Sequence, residues 1–228
     1  MDMITSRDEA AKPVGYPRKR ARTRRDLLAA GMAALAAHGP DGVTVSDVAG
    51  RARVANGTFY NHFPSLQHLL DAVTDDLASG VEIARDLIDR VEHDPAARVA
   101  IGTRQLLDLP RTDPNTARAF VALVPNVPRL RARVRATVRS AVDDGISAGR
   151  FVDRTPTATT DALLGAVLQW MRARLHDEGG PEPDHELVRL ALTLVGLPHA
   201  EIARVLATTT GSTSARHQRA TVRRGPLR

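Results

Sequence analysis

Prolines mark helix starts along this chain. Pro95 and Pro114 each follow an aspartate, and Pro128 opens a third run with apolar residues at helical spacing. Proline suits the first helical position, because its missing N–H would have no intrahelical partner there, and a preceding aspartate can cap the free N–H groups. These signals predict helices over about 94–109, 113–124 and 128–148, the last closed by Gly149. The periodicity continues from about Thr157 to His176, then at 184–195 and 198–207. Upstream, Leu27, Leu28, Met32, Leu35 and Ala36 share one helix face, with Thr23 as N-cap, Asp26 three residues on, and a stop at Gly39-Pro40. Thr44 with Asp47 starts a short helix that buries Val45, Val48, Ala49 and Ala52, and a shorter one fits Ala55 to Asn61. Ser65 caps a long helix to about Glu92. No stretch alternates with period two, so no strands are expected and the fold class is all-α.

Composition bounds the function. The 228 residues include no cysteine, which removes disulfides and thiolate metal sites. No run approaches the ~20 apolar residues of a membrane span, and no apolar segment follows the first basic residues, so a cytoplasmic location is expected. Net charge is +6, unevenly spread: residues 1–63 carry ten basic and six acidic groups, residues 64–207 seventeen and twenty. The last 21 residues carry five arginines and no acid. That asymmetry points to a polyanion partner for the N-terminal part. The expected organisation is a disordered arm at 1–17, a basic helical domain at 18–65, a longer helical domain at 66–207, and a disordered basic tail at 208–228.

The stretch "VANGTFYNHF" (Val54 to Phe63) holds three of the chain's few rings. Residues 44–63 read as a short helix, a tight turn and a second short helix, preceded by a supporting helix: a helix-turn-helix whose last helix enters the DNA major groove. Phe59 and Phe63 point inward and pin the small helix, while Tyr60 presents its hydroxyl.

The segment "GVTVSDVAGRARVANGTFYNHF", after "AAHG" and before "SLQHLLDAV", resembles the N-terminal domain of TetR-family transcriptional regulators over residues 18–75. Thr44, Val48-Ala49, Val54, Gly57-Thr58 and Tyr60-x-x-Phe63 carry the resemblance; the rest matches in layout. It implies a homodimeric repressor that holds a palindromic operator and lets go when a small molecule enters the second domain. By the same resemblance Thr44, Thr58 and Tyr60 touch phosphates, while Ser46, Asn56, Gly57 and His62 face bases or the groove wall. Three residues depart from the pattern. Arg53 replaces a turn glycine, Leu66 stands where many members have a phosphate-binding lysine, and Leu35 replaces phenylalanine.

"RKRARTRR" (Arg18 to Arg25) packs six positive charges; Arg18, Lys19 and Arg20 either reach DNA or form a solvated arm. In "RLRARVR" (Arg129 to Arg135), Leu130 and Val134 mark a buried face and leave the arginines solvated. Eight histidines lie in different elements without paired ligand spacing, so neither metal nor cofactor is expected. With no phosphate loop or nucleophile elbow, enzyme activity has no support. "ALLGAVLQWM" (Ala162 to Met171) is nonpolar at nine of ten positions and calls for cover on two sides. Resemblance and periodicity together place a dimer interface at Leu164, Leu168, Met171, Leu190 and Leu194. Phe120 and Trp170, with Gln105 and Gln169, are the ring and polar candidates for a ligand cavity. The alternative function is a DNA-binding activator or architectural protein without an inducer.

Overall fold

Each proline-marked start is the first residue of a helix in the computed structural model, which describes residues 16–152, 155–176 and 184–209. Ten α-helices and one 3-10 turn occur there, with no strand among the described residues. They are α1 (Tyr16–His38), α2 (Val45–Arg51), α3 (Asn56–Tyr60), α4 (Leu66–Asp89) and α5 (Pro95–Thr112). Then follow α6 (Pro114–Leu123), α7 (Pro128–Ser147), α8 (Pro156–Leu175), α9 (Asp184–Leu194) and α10 (199–209). No helix among the described residues is long and apolar enough to cross a membrane.

Local chemistry sets the boundaries. Thr44 and Asp47 form a reciprocal capping box: Asp47 N–H donates to Thr44 Oγ1 at 3.1 Å, and Thr44 N–H donates to Asp47 Oδ2 at 3.1 Å. Asp94, Asp113 and Ser65 cap α5, α6 and α4 through their side chains. Gly149 (φ 65°) ends α7 and Gly196 (φ 78°) follows α9, each in the left-handed conformation. After α9 the Leu197 N–H donates to Leu192 O and Gly196 N–H to Thr193 O, a paired closure that satisfies two end carbonyls.

The expected start of α1 is wrong. The helix begins at Tyr16, so the arginine run is helical; Thr23 is an interior residue whose Oγ1 donates to Lys19 O at 3.1 Å. Arginine and lysine are good helix formers, and the five arginines and one lysine of this run need no separate cap to join the apolar stripe that follows. Residues 1–15 and 210–228, most of the expected arm and tail, lie outside the described residues. Thr208 and Thr209 of the expected tail instead complete α10.

Packing joins the N-terminal helices to the rest. α1 lies along α6, and Leu27, Leu35, Val48, Phe59 and Leu69 are fully buried around the α1–α2–α3 junction. "RLRARVR" is less solvated than expected. Arg133 bonds Asp75, Ser79 and Glu82 of α4, Arg129 bonds Asp75, and Arg135 bonds Asp161 of α8. α7 is thus clamped to two neighbours by its own arginines.

Arg53, in the turn between α2 and α3, has φ 55°, the one non-glycine residue with positive φ among the described residues. This conformation costs an L-residue roughly 1–2 kcal/mol. Arg53→Gly is therefore expected to be more stable than Arg53→Ala by about 1 kcal/mol. Both changes remove the guanidinium and only glycine relieves the turn, so equal urea midpoints would show an unstrained turn.

Candidate nucleic-acid interface and ligand cavity

The turn after α2 is closed by Arg53 N–H donating to Gly50 O at 3.1 Å and Val54 N–H to Ala49 O at 3.0 Å. It sets the five-residue α3 against α1 and α2 through Phe59 and Phe63, both buried, with ring centroids 5.8 Å apart. Arg24 of α1 covers the Phe63 ring at 4.4 Å, a cation–π contact. With the rings inward, Asn56, Gly57 and Tyr60 are left exposed, beside Ser46 on α2. Asn56 Nδ2 donates to Ser46 Oγ at 3.3 Å, so these two candidate base readers are one hydrogen-bonded unit.

Gly57 sits inside α3 with nothing within 4 Å of where a Cβ would stand. The chain's own packing does not require glycine there, and the helix loses stability by having it. Thr44 is exposed, while Thr58 and His62 are half-buried. Burial, with the Arg20 and Arg24 guanidiniums, holds His62 below the usual histidine range, so near neutral pH its ring is uncharged. Arg18, Lys19 and Arg20 are exposed on the first turns of α1. Residues 16–63 carry eight basic and three acidic groups, a positive surface around the exposed strip.

A cavity of about 640 Å³ opens among α4, α5, α6, α7 and α8. Its walls are mostly aliphatic, with Phe120 as the ring and Gln105 and Thr103 among the polar groups. Met32 of α1 also lines it, so the helix that packs on α2 and covers Phe63 is part of the wall. Thr116 Oγ1 approaches Met32 Sδ at 3.5 Å where α6 meets α1.

The family model of bacterial regulatory proteins, tetR family, matches residues 27–73, and that of the tetracyclin repressor-like C-terminal domain matches residues 94–208. The chain is a TetR-family transcriptional regulator. Among solved structures, RolR in complex with resorcinol is 25% identical, with 83% of this chain and 95% of that one covered and a TM-score of 0.54. A gamma-butyrolactone receptor (ArpA-like protein) is 18% identical, covering 84% and 96%, at a TM-score of 0.66. FadR from Bacillus subtilis in complex with stearoyl-CoA is 18% identical, covering 77% and 99%, at a TM-score of 0.59. At 18% identity these last two show a shared fold. No curated protein matches the chain in sequence.

In this TetR-family chain the expected ligand residues separate. Gln105 and Phe120 line the cavity; Gln169 is exposed, and Trp170 is half-buried elsewhere, its Nε1–H donating to Asp184 Oδ1 at 3.2 Å under the Arg174 guanidinium. The expected interface residues separate too. Met171 is fully buried in the chain's own core, with no surface for a partner. Leu164 and Leu168 line the cavity, so they face inward. The outward face of α8 carries Ala158, Ala162, Gly165 and Gln169, and that of α9 carries exposed Leu190, with Leu194 half-buried. Sequence reasoning missed Thr103 and Met32. The signal for Thr103 was a hydroxyl at a core position of α5, in line with Ala96, Ala100 and Leu107, all buried.

Proposed function

We propose that the regulator is a dimeric repressor that binds a palindromic operator through α2 and α3 and releases it when a small molecule fills the cavity. The observation that carries this reading is the shared wall: Met32 belongs both to the cavity and to α1, which packs on α2, the neighbour of α3, and covers Phe63 with Arg24. A ligand there can favour one placement of α1 over another, and release follows if it binds that placement more tightly. RolR, whose structure holds resorcinol, is a relative by fold and sequence. The outward faces of α8 and α9 supply the dimer contact. Tyr60, Thr58 and Thr44 contact phosphates, with Arg18, Lys19 and Arg20 as further cations. Asn56, Ser46, Gly57 and His62 face the bases or the groove wall.

Selection of bound sequences from a random DNA pool tests the first half, and a palindrome with half-sites one helical turn apart, or a multiple of that, is expected. Loss of the shifted operator band on adding a bound small molecule tests the second. A selected site without two-fold symmetry would overturn the dimeric reading.

Because Ser46 and Asn56 are bonded to each other, their substitutions will not add. Asn56→Ala is expected to cost about 1–3 kcal/mol per half-site on the selected operator and far less on random DNA. Ser46→Ala and Asn56→Ala together should cost less than the sum of the two, by about 0.5 kcal/mol or more. Strict additivity in operator titrations would mean that DNA binding breaks the pair.

A further inference from the structure

The cavity's polar groups define what it accepts. Two arginines reach its wall, and both are engaged within the chain. Arg85 gives Nε–H to Asp89 at 3.1 Å, Nη1–H to the Thr137 carbonyl at 2.8 Å and Nη2–H to Asp144. Arg98 gives Nε–H to the Glu92 carbonyl at 2.8 Å and Nη2–H to the His93 carbonyl at 3.3 Å, and its Nη1 lies 3.6 Å from Asp89. Against these two cations the wall carries four carboxylates, Asp76, Asp89, Asp113 and Asp144. An anion entering the cavity meets net negative charge and no free guanidinium, and would leave water without a partner.

A cation gains little either. Asp89 already faces two arginines, and Asp144 is paired with Arg85. Asp113 accepts from the Thr116 N–H and hydroxyl, and Asp76 is exposed to solvent. Of the uncharged polar residues in the wall (Ser79, Thr103, Gln105, Thr116 and Thr137), only Thr103 is buried. Thr103 is only 9% exposed and lines the cavity, yet its hydroxyl has no hydrogen-bond partner among the described residues. Buried hydroxyls are nearly always bonded, and one that faces a cavity can bond an atom of a ligand bound there. Neighbouring helical threonines behave differently: Thr74 donates to Leu70 O at 2.8 Å and Thr137 to Arg133 O at 3.2 Å, each back to its own helix.

We propose that the cavity takes an uncharged, mainly aliphatic or aromatic molecule whose hydroxyl or carbonyl bonds the Thr103 hydroxyl, and that it discriminates against carboxylates. This names the ligand class for the release mechanism proposed above and rests on it for any consequence at the operator. Thr103 is the anchoring residue, and the apolar wall supplies the bulk of the affinity.

The test uses the full chain, without DNA, and matched pairs of probes: 1-decanol against decanoate, and 4-hexylresorcinol against 4-hexylbenzoate, titrated by calorimetry at neutral pH. The neutral member of each pair is expected to bind at least about tenfold more tightly. Thr103→Val keeps the side-chain shape without the hydroxyl, so it should weaken the neutral ligands about five- to tenfold. It should also raise the melting temperature of the free protein, because an unsatisfied buried hydroxyl is gone. Thr103→Ser should recover most of the binding. A merely structural threonine would not give that crossing of stability and affinity.

Equal or tighter binding of the carboxylates overturns the proposal, as does unchanged affinity in Thr103→Val or failure of every probe to bind. Neutral probes that bind through Thr103 but leave the operator complex intact would uphold the ligand class and overturn the release mechanism.

Discussion

Gly165→Arg is expected to give a folded, fully helical monomer that has lost operator binding. Gly165 lies on the outward face of α8, and nothing stands within 4 Å of an added Cβ, so the single chain accommodates a longer side chain. Removing an interior helix glycine favours the isolated subunit by about 0.5–1 kcal/mol. In the proposed dimer the same position would be a place of close approach, with Ala162 one turn and Ala158 two turns away. An arginine there separates the helices and brings like charge against like charge across the two-fold axis. Each subunit then meets DNA alone, and the tethering of the second half-site, worth about a hundredfold or more, disappears. Sedimentation near 24.6 kDa with unchanged far-ultraviolet dichroism is the expected pair of readings. A persisting dimer would place the interface on another face. Leu168→Arg, the substitution that apolarity alone suggests, instead charges the cavity wall.

The second large effect concerns stability. Gly196→Ala is expected to destabilise the protein by about 3–5 kcal/mol, because two costs combine there. The residue holds φ 78°, and an added Cβ would stand 2.3 Å from the Val152 carbonyl oxygen and 2.9 Å from its carbon. Both are backbone atoms of the segment between α7 and α8, so no side chain can swing aside. A melting temperature lowered by roughly 10 °C follows for a domain of this size. Gly149→Ala serves as the matched control: its φ is 65°, but nothing lies within 4 Å of the new Cβ. It should cost about 1 kcal/mol from conformation alone. Equal losses in the two variants would mean that the Val152 segment yields easily.

Helix order was legible in the sequence because its punctuation is chemical and local. Thr44 with Asp47, Ser65, Asp94 and Asp113 are caps whose partners lie within three residues, so no tertiary information is needed to read them. The inward turn of Phe59 and Phe63 was legible for the same reason, from spacing on a very short helix. Thr23 misled because a threonine inside a helix can donate back to its own turn, and nothing local distinguishes that use from a cap. α5 likewise runs through Pro110 to Thr112, past its expected end, since a proline near the last turn removes only one bond.

The two sides of α8 were not legible. Nine apolar positions in ten leave no polar stripe to orient the helix, and alanine and glycine count as apolar while sitting comfortably in water. Which leucines turned inward depended on α5, α6 and α7, whose packing no window on α8 contains. Trp170 escaped similarly. Its partner Asp184 is fourteen residues on, and only the closed fold brings the indole N–H to it.

The length of α1 has a mechanical consequence. Arg18 and Met32 are fourteen residues apart on one helix, about 21 Å along the axis at 1.5 Å per residue. A tilt of only about 3° pivoting at Met32 would carry the arginine end through about 1 Å, enough to spoil hydrogen bonds whose useful range spans about half an ångström. In the proposed mechanism this helix would act as a lever whose long arm reaches toward the DNA. Levers work from either end: if the cavity's occupant loosens the grip on DNA by some factor, DNA must loosen the grip on the occupant by that same factor. Operator fragments added to a ligand titration would then read the allosteric coupling from the opposite side, without any measurement on the DNA itself.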